Sequence, residues 1–133
     1  MFRLRIITPE KIAFDKMAKF AEFRTINGAM GTLQNRLPFF VALDIAELEI
    51  EQEDGHRIFF AVHGGIGEFF NNVFTILSDA AERPEDINVE RAKRSLERAK
   101  VDIEEVEEIR RKELEMKIQR ALVRLKISQK KER

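Results

Sequence analysis

Residues 45–77, IAELEIEQEDGHRIFFAVHGGIGEFFNNVFTIL, carry two turn signals that cut the segment into short extended runs. Leu48 and Ile50 alternate with Glu47, Glu49 and Glu51, the period-two pattern of a strand with one buried face and one solvated face. Asp54-Gly55 then supplies a hairpin turn, because both residue types accept positive φ at little cost, and residues 57–62 read as the returning strand. Asn71-Asn72 repeats the device between runs at residues 66–70 and 73–77. Toward the N-terminus, Phe2, Leu4 and Ile6 alternate with Arg3 and Arg5, and residues 17–23 continue in the same style with Lys19 among apolar neighbours. Many short strands with close turns predict a flattened β-sandwich or barrel.

The composition changes abruptly at Pro84. All eleven phenylalanines lie at or before Phe74 and all six glycines at or before Gly67, whereas more than half of the residues after Pro84 are charged. There the apolar period becomes helical: Ala92, Leu96, Ala99, Ile103 and Val106 form one seam, and Asn88 stands where an N-cap would, with Asp86 just upstream. Leu114, Ile118, Ala121 and Leu125 form a second seam, one residue out of phase with the first. A turn or a long helix with an eleven-residue step would each absorb the slip. The fold expected is an antiparallel β-sandwich over residues 1–84 followed by a two-helix antiparallel hairpin over 85–133. The alanine-rich seams are thin, so the hairpin depends on docking against something larger.

Charge and composition narrow the function. Residues 1–83 hold 9 Lys and Arg against 12 Asp and Glu, while residues 84–133 hold 15 against 12. Neither half has the basic footprint of a nucleic-acid binder. No cysteine means no disulfide framework and no thiol nucleophile. MFRLRIITPE alternates charged and apolar residues, unlike a secretory signal, and no run reaches the length of a membrane-spanning helix. The expectation is a soluble chain that serves a membrane, if it serves one, from outside the bilayer.

Little in the chain suggests catalysis. His56 beside the Asp54-Gly55 turn reads as an exposed loop residue and His63 as a strand-end residue, neither with a companion motif. The glutamates at 47, 49, 51 and 53 share a strand face, which a solvated surface explains more simply than a cation site. There is no nucleophile elbow, no phosphate-binding glycine loop and no metal-ligand spacing, so the expectation is a non-enzyme with no metal and no required cofactor. The tail holds one polar constellation: Arg91 and Arg98 two helical turns apart, and Arg120 and Arg124 one turn apart. If the chain folds back near residues 104–110, Arg91 approaches Arg120, and converging guanidinium groups suit a triphosphate. A charged helix surface is the alternative reading.

Residues 62–83, VHGGIGEFFNNVFTILSDAAER, closely resemble the last sandwich hairpin of the epsilon subunit of F-type ATP synthase. LRIITPEKIAFD, INGAMGTLQNRLPFFVAL, INVERAKRSLERA and RALVRLKI extend the resemblance along nearly the whole chain. It departs after Gly31, where Leu33 to Pro38 replace the family's usual pattern, and at Ala29, where some members carry an acidic residue. The resemblance implies a non-catalytic rotor component on the cytoplasmic face of the membrane. It would grip the gamma subunit and rest on the c-subunit ring through a loop including Gly28, Ala29, Met30, Gly31 and Arg36. It also implies a tail that either folds against the sandwich or extends toward the alpha and beta subunits and restrains ATP hydrolysis. Some family members bind regulatory ATP on the folded hairpin; the corresponding positions here are Glu82, Ile87, Asn88, Arg91, Ala92, Arg98, Arg120 and Arg124, with Asn88 replacing an aspartate. The competing class is a free-standing adaptor or chaperone that presents a helical hairpin to client proteins.

Overall fold

The computed structural model describes residues 1–32, 34–104 and 106–130; Leu33 and the last three residues of the expected hairpin lie outside them. Seven strands precede the helices: β1 (Phe2–Ile7), β2 (Ile12–Thr25), β3 (Gly28–Thr32), β4 (Phe39–Gln52), β5 (Arg57–Phe70), β6 (Val73–Leu77) and β7 (Ala81–Glu82). They run β1-β6-β5-β4-β2-β3, and a further β1–β2 pairing closes five of them into a flattened barrel. All pairings are antiparallel except β1 with β6, which run parallel. Closure removes the free edges that a five-stranded open sheet would expose.

Both predicted hairpins form. Gly55 takes φ 89° and donates its N–H to the Gln52 carbonyl at 3.0 Å, while Asn71 and Asn72 take φ 50° and 62° between β5 and β6. The runs at 57–62 and 66–70, expected as two strands, are one continuous β5 bent at Gly64 and Gly65. The first half of β5 pairs with β7 and the second half with β6, so the bend hands one edge from one partner to the other. Gly65 is required there: at φ 113°, a Cβ would fall 2.0 Å from the Leu77 carbonyl oxygen. The alternation expected over residues 17–23 also breaks. A bulge between Ala18 and Phe20 shifts the inward phase from Phe14 and Ala18 to Ala21 and Phe23, leaving Met17 and Lys19 outside. Within INGAMGTLQNRLPFFVAL, residues 26–43, part of which was expected as the ring-facing loop, residues 28–32 belong to β3 and 39–43 to β4.

The concentration of phenylalanine before residue 75 builds the interior. Phe2, Phe14, Phe23, Phe60, Phe69 and Phe74 are buried together, with Phe39 stacked on Phe69 at 5.5 Å between ring centroids. Fully burying each such ring contributes roughly 1.5–3 kcal/mol. A second apolar cluster lies outside the barrel, where Ile45, Phe59 and Ala61 meet Ile87, Val123 and Ile127.

That outer cluster docks the tail. Pro84–Asp86 form a short 3-10 turn, followed by α1 (Val89–Asp102) and α2 (Glu108–Ser128), so the phase slip resolves as two helices that pack on each other. Asn88 caps α1 as expected, its side-chain oxygen accepting the Arg91 backbone N–H at 3.0 Å, and Ala92, Leu96 and Ala99 are buried. In α2 only Ala121 of the anticipated seam is fully buried; a second stripe four residues apart, Gln119, Val123 and Ile127, turns to the barrel. Gln119 Nε2 donates to Asp44 Oδ1 and to the Ile45 carbonyl, both at 3.0 Å. Lys126 and Lys130 reach Glu47 at 3.0 and 3.8 Å, and Arg57 bonds Glu49 at 3.1 Å, so the glutamate row is engaged by cations rather than simply solvated. α2 is thus the inner helix, and α1 packs chiefly on α2.

Two outcomes are expected. Gly65→Ala, which combines a left-handed backbone with a main-chain clash, lowers stability by roughly 3 kcal/mol in urea denaturation. Ile127→Ala empties a fully buried site between tail and barrel and costs about 2–4 kcal/mol of docking. Limited proteolysis then cuts the helices faster while the barrel resists as before.

Candidate functional site

Where the two helices meet the barrel, a cleft of about 660 Å³ opens, within the usual range for small-ligand sites. Ser95, Arg98, Ala99 and Asp102 line it from α1, and Leu114, Lys117, Arg120 and Arg124 from α2. His63 of β5 with Asp79 and Ala80, which follow β6, complete the wall. Lys117, Arg120 and Arg124 fall three and four residues apart, which is why one helical face delivers all three cations. Among the described residues no ion pair reaches Arg98, Lys117 or Arg120. The four cations outnumber the two lining carboxylates, Asp79 and Asp102, which favours an anionic ligand, and guanidinium groups add forked hydrogen bonds to phosphate oxygens.

Arg124 is held differently. Its Nε donates to Glu82 Oε1 at 2.8 Å, and the same oxygen accepts from His63 Nε2 at 2.6 Å. Burial alone would raise the Glu82 carboxyl, but the hydrogen bonds from His63 and Arg124, with the charge of Arg124, outweigh it and hold the group below its ordinary value. An ionised carboxylate only accepts, so His63 Nε2 carries the hydrogen, and Nδ1 is buried with no hydrogen-bond partner among the described residues. The relay joins β5, β7 and α2 in one line of side chains. His63, expected at a strand end, is instead a buried residue inside β5, and His56 sits at the exposed turn bonded to Asp54 at 3.0 Å.

The sequence-derived candidates divide into two groups. Arg98, Arg120 and Arg124 line the cleft, with Glu82 bonded to Arg124 at its edge. Ile87 is buried in the tail–barrel cluster, Ala92 in the α1 seam, and Asn88 is used as a cap. Arg91 is exposed and lines no part of the cleft, so Arg98 rather than Arg91 is the α1 arginine that shares it with Arg120. Sequence reasoning missed Lys117, which its spacing from Arg120 and Arg124 would have revealed, and His63, whose role needs β7 beside β5.

A second surface lies at the end of the barrel near the β5–β6 turn. Pro38, Phe39, Phe40, Glu68, Phe69 and Phe70 line a shallow apolar groove, with Phe40 and Phe70 64% and 62% exposed. Two exposed aromatic rings lining one apolar groove make it a candidate protein-binding surface. Asn35 N–H donates to Asn72 Oδ1 at 2.9 Å, and Asn72 Nδ2 to the Met1 carbonyl at 2.8 Å, tying the loop before β4 to this turn. Of the candidate ring-facing residues, Gly28, Ala29, Met30 and Gly31 lie in β3, paired with β2, and only Arg36 is in the loop.

The lowered Glu82 pKa makes docking sensitive to acid. The folded value lies below the unfolded one, so the relay's stabilisation is fully present above the ordinary glutamate range and is lost as pH falls through the lowered value. Amide exchange in α2 is expected to speed up over that acid interval, and Glu82→Gln to reduce this pH dependence; an undiminished dependence in the variant would assign it to other carboxylates.

Residues 1–84 match the family model of the ATP synthase delta/epsilon chain beta-sandwich domain, and residues 85–129 that of the long alpha-helix domain of the same chain. Among solved structures, a chain of the Euglena gracilis mitochondrial ATP synthase, determined as OSCP/F1/c-ring in rotational state 1, superposes with a TM-score of 0.81. It is 22% identical over 92% of this chain and 78% of that one. A chain from the central stalk/c-ring of the Tetrahymena thermophila mitochondrial ATP synthase gives a TM-score of 0.51 at 17% identity, over 63% of this chain and 67% of that one. These likenesses extend to the fold, and the two family models account for nearly the whole chain: the protein belongs to the ATP synthase delta/epsilon chain family.

Proposed function

We propose that the chain is a non-catalytic rotor subunit whose barrel joins the gamma subunit to the c-subunit ring, and whose tail regulates ATP hydrolysis in response to ATP. The apolar groove with Phe40 and Phe70, beside the loop that contains Arg36, supports a protein-binding role for that end of the barrel. The complex would hold it at the cytoplasmic face of the membrane, without a span of its own.

The observation that carries the regulatory reading is the cleft itself. Its cations come from both helices, its remaining wall comes from the barrel, and among the described residues three of the four form no ion pair. A triphosphate bound there touches every part that must separate for the tail to extend. By mass action such a ligand favours the docked state; at 100 times its dissociation constant it adds about 2.7 kcal/mol to docking. Depletion of ATP then releases the helices toward the alpha and beta subunits, where they oppose hydrolysis.

Two experiments test this. ATP hydrolysis by a reconstituted alpha, beta and gamma head is expected to fall on adding the full chain and to recover when the chain is truncated after Arg83. Absence of both binding and inhibition would sink the rotor reading, while binding without inhibition would remove only the regulatory tail. In isothermal titration, Arg98→Ala and Arg120→Ala are each expected to weaken ATP binding about tenfold, the scale of a charge-assisted phosphate contact, and Arg91→Ala to change it far less. Equal effects at all three positions would put the nucleotide outside the cleft.

A further inference from the structure

Glu82 is held at the edge of the cleft by two hydrogen bonds to one carboxylate oxygen. β7 has only two residues, and both are paired to β5, Glu82 with Ala61 and Ala81 with Val62. Its Oε1 is bonded from one side by His63, whose side chain is only 2% exposed, and from the other by Arg124, which is 33% exposed and belongs to α2. The barrel thus presents a fixed carboxylate, and the tail brings a cation to it. Among the described residues no ion pair reaches the cleft's other cations, Arg98, Lys117 and Arg120. At Arg124 the protein has already supplied an anion.

We propose that Glu82 is a built-in counter-ion that stands in for a ligand phosphate at Arg124: in the empty cleft it clips the tail to the barrel, and a bound polyphosphate must compete with it for that guanidinium. The proposal rests on the anion-binding reading of the cleft and assigns Glu82 a role opposite to that of a ligand contact. Two consequences of opposite sign follow. Removing the Glu82 charge takes away a repulsion against phosphate and so tightens polyphosphate binding. It also removes the clip and so loosens the unliganded tail. A residue that touches the ligand, or one that merely supports the fold, would weaken both together. His63 enters as a positioning residue, since its hydrogen bond holds the carboxylate where Arg124 finds it.

The test uses the full chain, with sodium tripolyphosphate and ATP as probes in isothermal titration and amide exchange in α2 as the report on docking. Glu82→Gln keeps the shape and removes the charge. Tripolyphosphate is expected to bind about fivefold tighter to it, about 1 kcal/mol, while α2 exchanges severalfold faster without ligand. Glu82→Asp, which keeps the charge, is expected to bind tripolyphosphate no tighter than the unaltered protein, separating charge from disruption. In an Arg124→Gln background the gain from Glu82→Gln is expected to shrink below about twofold, because the competition is for that guanidinium. Unchanged or weaker binding by Glu82→Gln overturns the counter-ion role and leaves the anion cleft standing. If neither the unaltered protein nor Glu82→Gln binds either probe, the anion cleft falls and the counter-ion role falls with it.

Discussion

Strand β5 is apolar on both faces over its first half, and much of the architecture answers to that constraint. Ile58, Phe60 and Val62 point into the barrel, while Phe59 and Ala61 point out of it into the cluster that receives the tail. A strand buried on both sides needs a cover on each. The barrel interior supplies one, and Ile87, Val123 and Ile127 supply the other. Departure of the tail would present the large Phe59 ring to water, so an extended state would require another partner to cover it. The same apolar patch therefore favours docking in the isolated chain and would make any undocking depend on what else is present.

Electrostatics refines this arrangement. The neutral total conceals a barrel with an acidic excess and a tail with a basic one. The two meet with opposite charges in register: Glu47 with Lys126 and Lys130, Glu82 with Arg124, and Lys130 Nζ 5.3 Å from the centre of the Phe59 ring. Each pair is partly exposed and individually modest, and screening by salt reduces it further. Their combined effect is orientation, holding α2 at the register that brings Arg98, Lys117 and Arg120 into a common cleft. In the proposed function, a docked state that rests on one apolar patch and several weak pairs is one that a charged ligand would shift.

Much of this was legible in the residues themselves. Turn pairs at Asp54-Gly55 and Asn71-Asn72, the alternation in β1, and the cap at Asn88 all formed where local chemistry put them. The failures share a cause. The bulge at Ala18–Phe20 and the bend at Gly64–Gly65 depend on which strand lies alongside, which no local pattern reports. In α2 the anticipated seam was only half the story, because Gln119 interrupts the apolar spacing of the stripe that docks, and its bonds to Asp44 and Ile45 exist only across the interface. Of the candidate ligand residues, the arginines that line the cleft share single helix faces that spacing reports, whereas the expected approach of Arg91 to Arg120 depended on a pairing register between α1 and α2 that has no local signature.

The order of residues by itself determined the two modules, the boundary near Pro84 and the helical period beyond it, since each follows from side-chain volume, backbone freedom and spacing over a few residues. Tertiary structure alone decided that the tail lies on β4 and β5, that His63 and Glu82 face each other from strands nineteen positions apart, and that one arginine is neutralised while its neighbours are left open. Those relations depend on distances between segments remote in the chain, which are set by how two faces of β5 are covered and not by any stretch read alone.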